Sequence, residues 1–134
     1  MEIKITKTKQ SRIQSVDMNN IPFGQVFSDH MFIADYKDGT WVNAEIKPVE
    51  KLQLHPANLV LHYGQSVFEG MKASVKKDGT PCLLRPEMHA KRINHSAERM
   101  CMPAFPEDLF LEALHKLVGL DSEWIPSQDG SALY

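Results

Sequence analysis

The tetrapeptide Lys-Asp-Gly-Thr occurs twice, at 37–40 and again at 77–80, each time between two segments of strand composition. Asp-Gly accepts the positive backbone dihedrals of a tight hairpin turn. One rule applied twice predicts two hairpins, about Met31–Tyr36 with Trp41–Ile46 and about Gly70–Lys76 with Pro81–Leu84. The flanking strands share no pattern, so the repeat is one of turns and not of domains. The sheet this implies is mostly antiparallel.

Prolines divide the rest of the chain. Pro48 and Pro56 rule out a long helix between the hairpins. Arg85-Pro86-Glu87 reads as a helix start, with proline at the first helical position and Glu87 at the positive end of the dipole. This helix is expected to reach about Met100, with Ile93, Ala97 and Met100 as its apolar stripe and Arg92 at the stripe's edge. Pro103 ends it. Pro106-Glu107-Asp108 opens a second helix, whose buried face is Leu109, Ala113, Leu114, Leu117 and Val118 and whose end lies near Asp121, with one more helical turn at 122–125. The expected class is α+β, two hairpins packed against two main helices.

A chain of 134 residues, 43% hydrophobic, is about one domain long. Its net charge of −2 comes from dispersed charges, which leaves no electrostatic footprint for nucleic acid or an anionic membrane. No run approaches a membrane span. Cys82 and Cys101 match neither a paired-cysteine redox motif nor a zinc knuckle, and read as buried, reduced thiols of a cytoplasmic protein. Met1 to Lys9 alternates charge with Ile3 and Ile5; it lacks a secretory signal's apolar segment and reads as an exposed edge strand or a loose arm. Residues 127–131 are polar and turn-rich. Ala132-Leu133-Tyr134 has the character of a strand's beginning, which predicts that the natural chain continues.

The chemistry-bearing stretch is His62 to Gly70, where two aromatics and two glycines follow the apolar run Leu59-Val60-Leu61. Glycine lets backbone approach a ligand closely, and Tyr63 and Phe68 offer large apolar surfaces. Two readings stand: the wall of a small-molecule pocket, or a strand leading into a hairpin with bulge glycines and core aromatics. None of His30, His55, His62, His89, His95 and His115 has the close pairing with Cys or carboxylates that a metal site needs, and His95 and His115 are expected to face solvent. No Gly-rich phosphate loop and no activated nucleophile is present. Arg92 can hold a phosphate or carboxylate through its planar fork, or it can cover apolar surface with its stem.

The stretch Leu61 to Ala73, LHYGQSVFEGMKA, strongly resembles the signature of branched-chain amino-acid aminotransferases, pyridoxal-phosphate enzymes of fold type IV. The resemblance continues through Phe23-Gly24, the stretches 27–31 and 54–57, Leu84-Arg85-Pro86, Lys91-Arg92-Ile93, 96–103 and 121–126. It leaves out only Met1 to about Asn20, taken as an N-terminal arm before a small domain at 21–134. It implies that Arg92 grips the phosphate of pyridoxal phosphate. By the same resemblance, Phe23, Phe68 and Tyr134 line the apolar side-chain pocket, Tyr63 reaches the neighbouring subunit's pocket in a homodimer, and Gly70 lets backbone pass close to substrate.

The implied reaction moves an amino group between leucine, isoleucine or valine and 2-oxoglutarate. In the family the Schiff-base lysine comes from a C-terminal domain, so no catalytic residue is assigned in this chain, which is expected to be inert alone and to self-associate through an uncovered apolar face. D-amino-acid aminotransferases and aminodeoxychorismate lyases are rivals within the fold, and a non-catalytic binding or dimerisation module is the rival from another class.

Overall fold

The computed structural model describes residues 1–128 and 130–134. Asp129, in the polar stretch read as turn-rich, lies outside the described residues. Both hairpins form. The first joins β2 (His30–Lys37) to β3 (Thr40–Pro48), and the second joins β4 (Ala73–Val75) to β5 (Pro81–Leu83). They belong to two separate sheets and not to one.

The two copies of Lys-Asp-Gly-Thr make different turns. In the first, Lys37 pairs with Thr40 across the two residues Asp38 and Gly39, both at positive φ (50° and 82°), the dihedral signature of the hairpin turn that matches strand twist. In the second only Gly79 has positive φ, at 83°. The loop is wider, closed by Lys76 N–H donating to Thr80 O and by Thr80 N–H donating to Asp78 Oδ1. Pro81 follows at once and pairs with Val75, next to the bonded pair Lys76–Thr80, where the ladder asks for no N–H.

The first hairpin carries a bulge. The register shifts between Ile33 and Asp35, opposite Asn43, which sits at a φ of 55° and donates from Nδ2 to Asp35 Oδ2 at 2.9 Å. The extra residue lies in β3, so the alternation of that strand switches and Trp41, opposite Tyr36, comes to the same face as Ala44 and Ile46.

A short strand β1 (Lys4–Ile5) pairs with β3 in parallel, giving the order β1-β3-β2. The N-terminal segment is therefore an edge strand, and it is anchored: Ile3 is buried with Ala44, Ile46, Leu109 and Ala113. Leu109 and Ala113 come from α3 (Glu107–Leu120), which packs on β2 and on α2 (Pro86–Arg99). Both helices start and stop within a residue of the positions their prolines predict. A one-turn helix covers Ser122–Trp124, also as expected. Of the apolar stripe predicted for α2, Ala97 is buried but Met100 is exposed, and Ala90 takes the second buried position.

The α2–α3 connection is fixed by side chains. Asn94 donates to Phe105 O and accepts from Phe105 N, both at 2.8 Å. Trp41 donates to Ala104 O at 2.7 Å and meets the Phe105 ring edge-on at 4.7 Å. Such tilted aromatic pairs add to the area they bury.

The reading of His62 to Gly70 as a strand with core aromatics fails: the stretch begins inside a short helix, α1 (Leu59–Tyr63), and Tyr63 and Phe68 are exposed. Asn58 caps the helix by accepting from Val60 N–H at 3.0 Å, and Gly64 ends it in the left-handed conformation. The cysteines are free but not buried: Cys82 is half-buried and Cys101 exposed.

Candidate functional site

From Gly64 the chain passes alongside α2, tied there by Gln65 donating to Met100 O at 2.8 Å. Burial alternates along it, with Gln65, Val67 and Glu69 half-buried and Ser66 and Phe68 exposed. Phe68 stands in solvent, 86% exposed, whereas the Glu69 carboxylate is 5% exposed and faces α2. His89 and Arg92, three positions apart on one helix face, meet it. Arg92 Nε donates to Glu69 Oε2 at 2.7 Å and its Nη2 to Oε1; His89 Nδ1 lies 3.0 Å from Oε1, and Gly70 N–H donates to the same oxygen at 2.9 Å. The Arg92 guanidinium bond is the largest influence on this carboxyl and, with His89 and Gly70, holds it at about 2 against the opposing effect of burial.

Gly70 continues the chain of contacts. Its backbone runs under the Tyr134 ring, which packs at 5.4 Å and a tilt of 59° on Phe23. Tyr134 is delivered by the bridge between Ala73 and Leu133, whose backbone groups exchange hydrogen bonds of 2.8 and 2.9 Å. Phe23 and Tyr134 line one cavity of about 600 Å³ together with Gly24, Phe27, Trp124 and Leu133. Arg92, Gly70, Tyr134 and Phe23 thus form one connected group. Tyr63, 80% exposed, and Phe68 stand outside it, exposed as Leu59, Leu61 and Leu84 also are.

Glu69 was absent from the residues picked out by sequence. Its one signal was its place between Phe68 and Gly70 in the quoted motif, because nothing local announces a partner in α2. The reading that no histidine is paired with a carboxylate is also overturned, at His89 and at His30. His30 Nδ1 lies 2.6 Å from Asp121 Oδ1, and the His30 N–H donates to Asp121 Oδ2 at 2.9 Å. Thr8 N–H donates to His30 Nε2, so the ring proton sits on Nδ1 and is given to Asp121. Beside it, Asp29 accepts from Trp124 Nε1 and Arg12 N–H, each at 3.0 Å. Asp29, His30 and Asp121 are all buried. This second cluster joins residues far apart in sequence. Among the described residues no group of histidines, cysteines and carboxylates is arranged to hold a metal ion.

Comparison with known proteins bears on the whole chain. It is 43% identical over 135 aligned residues to branched-chain-amino-acid aminotransferase 2 of Bacillus subtilis (strain 168), an alignment covering 100% of the chain and 36% of that relative. The chain matches branched-chain-amino-acid aminotransferases from end to end. Branched-chain-amino-acid transaminase 1 of the same organism is 47% identical over 88% of the chain and 33% of its own length. The branched-chain-amino-acid aminotransferase of Mycolicibacterium smegmatis is 43% identical over 83% of the chain and 30% of its own length. The chain spans about a third of the length of the aminotransferases it matches. No protein-family profile matches it. Among the described residues no helix is long and apolar enough to cross a membrane.

Proposed function

We propose that this chain is the small-domain half of a pyridoxal-phosphate-dependent branched-chain-amino-acid aminotransferase of fold type IV. The full-length protein would exchange an amino group between leucine, isoleucine or valine and 2-oxoglutarate, as a cytoplasmic homodimer. The end-to-end match to branched-chain-amino-acid aminotransferases carries this reading. In the division we propose, 1–20 is an N-terminal arm and 21–134 the small domain, with the arm docked through Ile3 and β1.

The residues present fit the cofactor's anionic end. Arg92 gives Nε–H and one Nη2–H to Glu69 and keeps the Nη1 edge open, with the side chain 65% exposed. A planar fork with donors to spare suits a phosphate. When bound, pyridoxal phosphate supplies the electron sink that makes an amino acid's α-proton removable. This chain's part is to bind and orient: Arg92 holds the phosphate, and Phe23 and Tyr134 present aromatic walls to an aliphatic side chain. Gly70 keeps the backbone low beneath Tyr134. The exposed rings of Tyr63 and Phe68 suit cover by further chain and by the partner subunit, where Tyr63 would reach the other pocket.

The test is an assay of the full-length protein with leucine and 2-oxoglutarate, run beside D-alanine and aminodeoxychorismate, with a spectrum recorded for the visible band of bound cofactor. Turnover of leucine, isoleucine and valine with the band present is the expected result. Preference for either alternative substrate reassigns the reaction within the fold. Absence of both band and turnover leaves a binding or dimerisation module.

A further inference from the structure

We propose that Glu69 is the positioning residue for Arg92, fixing the plane of its guanidinium so that the opposite edge meets the cofactor phosphate. This rests on the assignment of Arg92 as the phosphate anchor. Arg92 projects from α2 into solvent, and a long side chain so exposed has many rotamers to lose when it binds an anion. Glu69 removes that freedom beforehand. It engages Nε and Nη2 side-on, leaving the Nη1 edge to the ligand.

A mobile carboxylate could instead stand in for the phosphate and have to be displaced. The geometry speaks against that. Glu69 is held from its other side by His89 Nδ1 and Gly70 N–H, its side chain is 5% exposed, and it comes from the backbone that passes under Tyr134. It is a fixed buttress. The same carboxylate therefore links the anchor for the phosphate to the wall of the apolar cavity. A shift at either end is carried to the other through Gly70, so the two halves of the ligand are seated in register.

The experiment titrates full-length apoprotein with pyridoxal phosphate, following absorbance, for wild type, Glu69→Gln, Arg92→Ala and the double variant, with melting temperatures alongside. Glu69→Gln keeps the shape and removes the charge, and is expected to raise the dissociation constant about tenfold, with Arg92→Ala raising it about a hundredfold. In the double variant the constant is expected to equal that of Arg92→Ala, because a residue acting through Arg92 has nothing to position once Arg92 is gone. A constant for Glu69→Gln equal to or below wild type overturns the proposal, as does a Glu69 effect that persists in full without Arg92. An unchanged constant for Arg92→Ala removes the phosphate assignment itself and the Glu69 role with it. Should Glu69→Gln fail to fold, Arg92→Lys serves: it keeps the charge but has no fork to orient, so binding about tenfold weaker is expected, and wild-type binding overturns the proposal.

Discussion

Gly70 and Tyr134 touch so closely that no side chain fits between them: a Cβ on residue 70 would stand 3.0 Å from Tyr134 Cζ and 3.1 Å from Cε2, and closer still to the hydroxyl. Gly70→Ala must therefore push the Tyr134 ring off Phe23. Tyr134 is 64% exposed and can rotate, so the fold should lose no more than about 0.5 kcal/mol. In the full-length protein we expect the KM for leucine to rise about tenfold with the melting temperature nearly constant. An unchanged KM would show that the ring has no part in holding substrate.

Phe68 is the most exposed of the candidate residues, and its removal should cost the fold no more than about 0.5 kcal/mol. Phe68→Ser in the full-length protein is expected to raise the KM for leucine about tenfold, and that for glutamate by much less, because only the aliphatic donor needs an apolar wall. Equal rises for both donors would mean that Phe68 makes no selective contact with the side chain.

Asp121 is 2% exposed and satisfies both the backbone N–H and the ring Nδ1–H of His30. Asp121→Ala leaves two buried donors without acceptors and should destabilise the protein by about 3 kcal/mol. Urea unfolding followed by the fluorescence of Trp124, which is buried against this cluster, measures the change. A loss below about 1 kcal/mol would place solvent at the His30 donors.

Asp29 supplies a pH dependence of definite sign. Burial alone would raise its carboxyl, but hydrogen bonds from Ser11, Arg12 and Trp124 outweigh it and bring it from 3.8 to about 2. A depressed carboxyl stabilises the fold above its ordinary value, and that stability is lost as the pH falls through the folded value. About 2 kcal/mol should disappear between about pH 4 and pH 2. Urea unfolding of Asp29→Asn across the same range should lack this component. An identical slope in wild type and variant would assign the acid sensitivity elsewhere.

What was legible in the chain is what local chemistry controls. The prolines at 86 and 106 mark both helix starts, Pro86 in the first turn, where an N–H is not needed, and Pro106 at the cap just before Glu107. Asp-Gly fixed both turns as places of reversal. The readings that failed are those in which neighbours in space outvote neighbours in sequence. His62-Tyr63 opens a stretch that admits a strand, yet Asn58 and Gly64 cap these residues into a helix. The same tetrapeptide closes two different loops, a two-residue turn at 38–39 and a wider one closed from Lys76.

The candidate site divides along the same line. Sequence alone determined its parts: a fork-bearing arginine on a helix, aromatics and glycines in one short motif, and the likeness that named their roles. Only the tertiary structure decided their arrangement. Glu69 and Arg92 are brought together by the path of the segment 65–70 along α2, and His30 and Asp121 by the closure of the whole domain. Pairs of that kind carry no local signature, since a carboxylate's partner is fixed by where the backbone returns and not by what stands beside it in the chain.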